Sequence, residues 1–229
     1  NWKYMALVWA LIPIANGIFF TRVPIAPLLD EGEKGLTMGE LFKKKIFWVL
    51  MLMMLCAGAS EQAVSQWAST LAEKNFGINK TIGDLAGPMA FAILMGSSRA
   101  FYGKFGDKIN LERFMQYSAV LCMVSYLMIA FIPVPALGIL GCAVCGLSVG
   151  IMWPGTFSMA AASVKRGGTA LFALLALAGD VGCSSGPTYV GMISGALNDN
   201  LKLGIFAALI FPVLMIMGIK MIGSLQKYD

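Results

Sequence analysis

The 229-residue chain is 58% apolar and only 13% charged, whereas ordinary soluble domains are about 45–50% apolar and about 25% charged. This composition excludes an ordinary soluble domain and predicts several membrane crossings, because one crossing helix needs about 20 mostly apolar residues. The net charge of +5 comes from 17 scattered Lys and Arg residues without the basic face of a nucleic-acid-binding surface.

The chain has no His, and its five Cys residues fall within apolar segments. The lack of imidazoles excludes His-based proton relays and His-ligated metals, and Cys in such segments favours neither a disulfide framework nor a zinc site. Cys142 and Cys145 have the spacing of a redox pair but lie in the middle of an apolar run, where Cys behaves as a small hydrophobe. The sequence therefore predicts no cofactor and no metal site, and titrating chemistry is left to carboxylates.

Seven apolar runs predict an all-α membrane protein with about seven transmembrane helices. In chain order they cover residues 4–21, 46–67, 83–102, 114–132, 136–159, 169–194 and 203–222. A basic cluster follows the first run, whereas a signal peptide carries its positive charges before its apolar core. We therefore expect residues 1–21 to be an internal transmembrane helix of a chain truncated at its N-terminus.

Residues 22–45 form the only long polar stretch of the sequence, which predicts a cytoplasmic linker. It contains an acidic group at Asp30, Glu31 and Glu33 and a basic cluster at Lys43, Lys44 and Lys45. Residues 46–222 hold the other six spans, which divide as three plus three, the arrangement of two inverted triplets in one half of a secondary transporter. Residues 223–229 are expected to form a short cytoplasmic tail.

The basic residues are distributed unevenly between alternate loops. Of the 17 Lys and Arg residues, thirteen fall on one side of the predicted membrane and only Lys3, Lys74, Lys80 and Lys202 on the other. Because cytoplasmic loops carry the excess of positive charge, this asymmetry predicts an external N-terminus and a cytoplasmic C-terminus. We expect an integral, multi-pass protein of the plasma (inner) membrane, with the lipid bilayer as a partner.

The second span carries a polar stripe. Glu61 stacks over Ser65 at helical spacing, and Gln62 stacks over Gln66. Polar side chains inside an apolar span normally face a bundle interior or a water-filled cavity, so we expect the stripe to line a substrate pathway. Interhelical hydrogen bonding or a position at the outer membrane surface remains the alternative. The adjacent Trp67 is suited either to stacking on a sugar ring or to anchoring at the membrane interface.

Asp180 lies near the middle of the run 169–194 and is followed at helical spacing by Ser184 and Thr188. A lone carboxylate at that depth is costly, which makes it a candidate for proton binding and release or for pairing with a cation. Arg99 is the chief candidate cation within the chain. A purely structural carboxylate, hydrogen-bonded at a helix contact, remains the alternative.

Glycines and prolines interrupt two of the spans. Gly182 and Gly186 have the small-residue spacing that lets helices pack closely, and Pro154 with Gly155 interrupts the fifth span. Such interruptions suit the hinges of alternating access, although Gly and Pro are also frequent in any membrane helix.

The turn between the third and fourth spans contains Arg99, Gly103, Asp107, Lys108 and Arg113. This pattern resembles the cytoplasmic loop signature of the major facilitator superfamily, with Asn110 and Leu111 standing where the family usually has Gly and Arg. In such a loop Gly permits close helix approach, and Asp can pair with Arg or a helix N-terminus to latch one conformation. An ordinary basic loop is the alternative interpretation.

Two further segments resemble the fucose-permease-like, sugar-transporting branch of that superfamily. They are residues 58–67, similar to the first helix of the second half, and residues 146–158, similar to the tenth helix. The resemblance implies that residues 1–21 are the sixth helix, that residues 22–45 end the central loop, and that residues 46–222 are the C-terminal half. The N-terminal half of the transporter would then be a missing partner.

The resemblance implies a secondary active transporter that moves a small polar solute, such as a sugar or related metabolite, by alternating access. Its expected pathway residues are Glu61, Gln62, Ser65, Gln66, Trp67, Trp153, Asp180 and Ser184. Glu61 and Asp180 are the candidates for proton coupling, which stays open. A membrane sensor or assembly protein on the same fold is the alternative, whereas the absence of a catalytic constellation argues against an intramembrane enzyme.

Overall fold

A computed structural model describes residues 2–24, 33–75 and 77–225 of the chain. The described residues form helices and their connections, without a strand. The helices are α1 Trp2–Phe20, α2 Met38–Lys43, α3 Lys45–Ser65, α4 Ala68–Thr70, α5 Lys80–Phe105, α6 Leu111–Phe131, α7 Pro135–Val149, α8 Met152–Ser163, α9 Gly168–Ala196, α10 Leu201–Ala207 and α11 Ile210–Leu225. A π-helical turn, Leu71–Asn75, follows α4, and a 3₁₀ turn, Gly106–Lys108, follows α5.

The chain divides into two compact units, residues 1–34 and residues 35–229. The first unit contains α1, a 19-residue apolar helix that includes Pro13. This helix coincides with the predicted span 4–21. The other helices belong to the second unit.

Six helical segments within the described ranges are long and apolar enough to cross a membrane. They are Trp2–Phe20, Lys45–Lys74, Leu111–Phe131, Pro135–Ser163, Gly168–Ala196 and Leu201–Leu225. Each coincides with a predicted span. The seventh prediction, residues 83–102, falls within α5, which is 26 residues long but more polar than the others. Within the described ranges six segments therefore meet both the length and the composition of a span, and all seven predicted segments are helical.

The second unit is centred on α3, which packs along α9. Gly182 and Gly186 of α9 lie against the backbone of Leu55 and Ala59 of α3, so closely that an added Cβ on either glycine would collide with it. Gly58 of α3 makes the reciprocal approach to the α9 backbone. The small-residue spacing read from the sequence is thus a close helix contact, as is usual between membrane helices.

A second glycine pair brings α5 against α7. Gly146 lies against the Phe91 carbonyl, and a Cβ on Gly150 would come within 2.8 Å of the Met95 carbonyl oxygen. Because the two backbones approach so closely, residues one turn beyond Met95 on α5 lie beside the end of α7. Arg99 is one of these residues.

The segment Pro135–Ser163 is interrupted between α7 and α8, at Gly150 and Ile151. Pro154 is the third residue of α8, within the first turn, where a helix tolerates the missing N–H of proline. The interruption that the sequence predicted around Pro154 and Gly155 is therefore a break just before them.

The C-terminal part of the predicted linker 22–45 belongs to the packed unit, while Asp30 and Glu31 lie outside the described residues. Thr37 caps α2: its backbone N–H donates to Glu40 Oε2 at 2.7 Å, and its hydroxyl oxygen accepts from the Glu40 N–H at 3.4 Å. Leu41 is fully buried. A capped helix with a buried anchor thus occupies the end of this polar segment, because the capping box is encoded locally.

Several polar or reactive side chains lie in the hydrophobic core without forming a reactive site. Cys142 and Cys145 are buried and free, as is Cys122 on α6. The buried Tyr126 hydroxyl donates to the Ser60 carbonyl at 2.7 Å and ties α6 to α3. The Cys pair is therefore placed as packing residues, in keeping with its position in an apolar run.

Candidate functional site

Glu61 and Arg99 form an ion pair that joins α3 to α5. Arg99 Nη2 donates to Glu61 Oε2 at 3.1 Å, and Gln62 Nε2 lies 3.5 Å from Glu61 Oε1. The Glu61 side chain is 13% exposed, and that of Arg99 is 44% exposed. Glu61 lies near the middle of the segment Lys45–Lys74, where an ionisable side chain is expensive unless it is paired. The pair gives each charge a partner inside the bundle.

Arg99 is also anchored to the break between α7 and α8. In an uninterrupted helix the Gly150 carbonyl would accept a hydrogen bond from the N–H of residue 154, but Pro154 has no N–H. Arg99 Nε instead donates to this carbonyl at 3.2 Å. One guanidinium therefore links α3, α5 and the end of α7.

The ion pair lies in the wall of a cavity of about 400 Å³ whose other lining residues are Trp153, Pro154 and Phe157. The Trp153 and Phe157 ring centroids are 6.1 Å apart. The Trp153 ring lies directly over Gly179 of α9, where an added Cβ would be 2.5 Å from ring atoms. The cavity therefore combines a cation, a carboxylate and two aromatic faces, and its volume is in the usual range for small-molecule sites.

Trp67 lies in a different cavity, of about 390 Å³, together with Gln66, Thr70, Pro187 and Thr188. The Trp67 indole N–H donates to the Pro187 carbonyl at 3.1 Å. Its ring lies close to Gly191, where an added Cβ would be 3.1 Å from the ring. Trp67 thus ties the end of α3 to the proline-containing part of α9.

Asp180 is exposed and lines a third cavity, of about 440 Å³, with Val181, Ser184, Ser185 and Thr188. It has no ion pair among the described residues, and Arg99, its candidate cation, is bound to Glu61 instead. The Ser184 hydroxyl donates to the Asp180 carbonyl at 3.1 Å. The residues that line this cavity with Asp180 all belong to its own helix, and three of them carry hydroxyl groups.

A family model described as Major Facilitator Superfamily matches residues 1–187. The chain belongs to the Major Facilitator Superfamily. No significant match was found among curated proteins or among solved structures. Because members of this superfamily are transporters, the chain is assigned to transporters in general and to integral, multi-pass membrane proteins. Glu61, Arg99, Trp153 and Asp180 all lie within the matched residues.

The major facilitator loop resemblance falls on the connection between α5 and α6. The Asn110 side chain accepts a hydrogen bond of 2.9 Å from the Arg113 N–H and caps α6. Asp107 and Lys108 are exposed in the 3₁₀ turn, and within the described residues Asp107 forms no ion pair. Asn110, which departs from the family pattern, therefore acts as the helix cap, while Arg99 is used within the bundle rather than in the loop.

The structure distributes the predicted pathway residues of this superfamily member over three neighbouring cavities. Glu61 and Trp153 share the first, Gln66 and Trp67 the second, and Asp180 and Ser184 the third. Gln62 contacts Glu61, and Ser65 is half-buried on the same helix. Of the four stripe residues, Glu61 and Gln66 thus line different cavities.

The cavity role of Arg99, Pro154 and Phe157 was not predicted. The available signal was an Arg within the apolar run 83–102, since such a residue normally has a carboxylate partner inside the bundle. From the sequence, Arg99 was a candidate partner only of Asp180, whereas Glu61 also lies within an apolar run, and the choice between them depends on which helices meet. Glycine contacts between α5 and α7 and between α3 and α9 decide it.

A larger cavity, of about 480 Å³, lies among α5, α6 and α7. Its lining is apolar and aromatic, with three serines: Ser97, Ser98, Phe101, Phe114, Tyr117, Ser118, Leu121 and Leu147. None of these residues is charged at neutral pH, so we centre the candidate site on Glu61 and Arg99 in spite of the smaller volume there.

Proposed function

We propose that the protein is a secondary active transporter that moves a small polar solute by alternating access. The observation that carries the proposal is the Glu61–Arg99 ion pair in the wall of an aromatic-lined cavity, with Glu61 near the middle of the segment Lys45–Lys74. Transporter sites of this kind lie near the bilayer midplane, beside discontinuous helices. The break between α7 and α8, to which Arg99 is bonded, is such a discontinuity.

We further propose that residues 46–222 form the C-terminal half of the transporter and act together with an N-terminal half. Asp180, Ser184 and Thr188 give α9 an exposed polar face within a membrane segment. Polar side chains at that depth face a water-filled cavity or another bundle rather than lipid. A second half facing α9 across the pathway would meet this requirement. On this proposal α5 also crosses the membrane, in addition to the six segments above. The C-terminus is cytoplasmic, and the protein resides in the plasma (inner) membrane.

The proposed substrate is a sugar or related metabolite, following the resemblance to the fucose-permease-like branch. Trp153 supports this assignment, because its ring face suits the C–H face of a sugar ring, and Glu61 and Arg99 supply hydrogen-bonding groups beside it. Glu61 and Asp180 are the proposed carboxylates for proton coupling.

Uptake by proteoliposomes tests the proposal. With a panel of labelled sugars and sugar acids, we expect wild-type protein to accumulate at least one solute and Glu61→Gln and Asp180→Asn to reduce that uptake to background. Glu73→Gln is the matched control, since Glu73 is an exposed carboxylate near the end of the same segment as Glu61.

Normal transport by both neutral variants, once shown to be folded, would contradict the assigned roles. External alkalinisation or acidification on solute addition reports proton symport or antiport. Unchanged uptake accompanied by loss of a bound protein partner would favour a sensor or assembly function.

A further inference from the structure

We propose that Arg99 binds the carboxylate of an anionic solute, so that the sugar or related metabolite of the proposed function is a small carboxylic acid, such as a sugar acid, and not a neutral sugar. The inference deepens the proposed transport function and rests on it. It follows from which donors and acceptors the cavity leaves available.

The guanidinium of Arg99 has donors to spare. Of its five N–H groups, one on Nη2 is used by Glu61 and the one on Nε by the Gly150 carbonyl. The other three have no hydrogen-bond partner among the described residues. With 44% of its side chain exposed and a place in the cavity wall, Arg99 offers these donors to a ligand.

The acceptor groups of the cavity are, in contrast, little exposed. Glu61 is 13% exposed, and its two oxygens lie within hydrogen-bonding distance of Arg99 and Gln62. Trp153 and Phe157 add apolar ring faces, and Pro154 adds no donor. A ligand that fills this cavity therefore meets spare donors on a cation and few free acceptors, which matches a carboxylate better than the hydroxyls of a neutral sugar.

The native ion pair already shows this guanidinium donating a hydrogen bond to a carboxylate in the cavity wall. A solute carboxylate would take donors on Nη1 and Nη2 in the bidentate geometry that Arg favours. Its carbon skeleton would then lie against Trp153. Arg99 is the only cation among the lining residues that the structure describes, and Glu61 already balances part of its charge, so a singly charged acid fits the cavity better than a phosphate ester of higher charge.

Matched solutes that differ in one carboxylate test the inference. The probes are D-glucuronate against D-glucose, D-galacturonate against D-galactose, and phenylacetate against 2-phenylethanol. Thermal stabilisation of the purified full-length protein, titrated with each probe, gives the apparent Kd. We expect at least one acid to stabilise the wild type and its neutral counterpart to have no effect.

The two members of the ion pair should respond in opposite directions. Arg99→Gln should weaken acid binding about tenfold or more, because it removes charge-assisted hydrogen bonds. Glu61→Gln should tighten acid binding, since it removes the negative charge that competes for the guanidinium and repels the solute carboxylate. Lys104→Gln is the matched control, because Lys104 is an exposed cation on α5 outside the cavity lining.

Three results would overturn the inference: protection by the neutral probes equal to that by the acids, no protection by any acid, or equal weakening in both pair variants. If Arg99→Gln alone fails to fold, the double variant Glu61→Gln with Arg99→Gln restores a neutral pair and should fold without binding acids. Uptake of neutral sugars without acid binding would reject this inference and keep the transport proposal. Acid binding without uptake of any solute would keep the assignment of a carboxylate to Arg99 and reject the transport proposal.

Discussion

Glu61 of α3 and Asp180 of α9 are both carboxylates near the middle of apolar segments, on two helices that pack along each other, yet their surroundings are opposite. Glu61 is nearly buried and is paired with Arg99. Asp180 is exposed, and its cavity neighbours are Val181 and hydroxyl side chains of α9. The cost of a charge in hydrocarbon is met for Glu61 by a partner within the unit. For Asp180 it must be met by water or by something outside the described residues.

A carboxylate within a membrane segment can therefore indicate two different structural situations. A paired carboxylate such as Glu61 belongs to a site that one helical bundle forms alone, with a cation, aromatic walls and a helix break. An unpaired, exposed carboxylate such as Asp180 belongs to a polar surface within a membrane segment. The polarity of that surface is evidence of what it faces. The position of a carboxylate in an apolar run does not distinguish these cases, because both residues satisfy that criterion.

The largest expected effect contrasts Arg99→Ala with Asp180→Asn. Loss of Arg99 leaves Glu61 as an unpaired, nearly buried charge and should lower the free energy of unfolding by about 2 kcal/mol, less than for a fully buried pair because Arg99 is partly exposed. Asp180→Asn should change it by less than about 0.5 kcal/mol, as at other surface positions. Chemical denaturation in detergent, followed by circular dichroism, measures both, and equal losses would remove the contrast between the carboxylates.

A smaller loss of unfolding free energy is expected from Trp67→Phe. This variant tests whether the contact of Trp67 with Pro187 contributes to stability independently of the Glu61–Arg99 ion pair. The substitution keeps an aromatic ring but removes the hydrogen bond to the Pro187 carbonyl, at a cost of about 1 kcal/mol. Because Trp67 and Arg99 line separate cavities, combining Trp67→Phe with Arg99→Ala should give the sum of the two losses to within about 0.5 kcal/mol. Strong coupling in this double-mutant cycle would show that the two cavities respond as one.

The smallest effect concerns Glu40, which serves as a reference carboxylate outside the membrane segments. The hydrogen bond from the Thr37 backbone N–H, followed by that from the Thr37 hydroxyl, lowers the Glu40 pKa below its ordinary value of 4.5. A lowered pKa in the folded state means that this carboxylate stabilises α2 fully above pH 4.5 and loses the contribution as the pH falls through the lowered value.

Trp48 reports this change, because its indole N–H donates to the Phe42 carbonyl of α2 at 2.9 Å. The fluorescence difference between wild type and Trp48→Phe should shift on acidification below pH 4.5. In a Glu40→Gln background the shift should be absent, since a neutral amide at the same position keeps the capping geometry without titrating. A shift that persists in this background would assign the titration to another group.

The fold was largely predictable because each span is encoded locally. Apolar runs bounded by charges predicted helix ends that lie within a few residues of those observed, as with 169–194 against Gly168–Ala196. Gly182 and Gly186 predicted a close contact for the same reason. The polarity of α5 is the exception: Ser97, Ser98 and Arg99 lower its apolar character, although the helix still packs along α7.

The candidate site was predictable only in part. Glu61 was expected in the pathway from residue type and depth and Trp153 from the family resemblance, and the structure places both in one cavity. The partner of Glu61 was not predictable, because Arg99 is 38 residues away along the chain and reaches Glu61 only when α5 lies beside α7. That arrangement depends on backbone contacts at Gly146 and Gly150, which no local pattern assigns to a particular neighbour.

The hydrogen bond from Arg99 to the Gly150 carbonyl has a mechanical consequence. Because Pro154 has no N–H, the Gly150 carbonyl at the end of α7 lacks its helical donor, and Arg99 from another helix donates to it instead. The same side chain carries the charge that neutralises Glu61. Bending at the junction of α7 and α8 would therefore move this arginine and change the electrostatic potential at Glu61 on α3. The geometry of one helix is thus coupled to the charge of a residue on another.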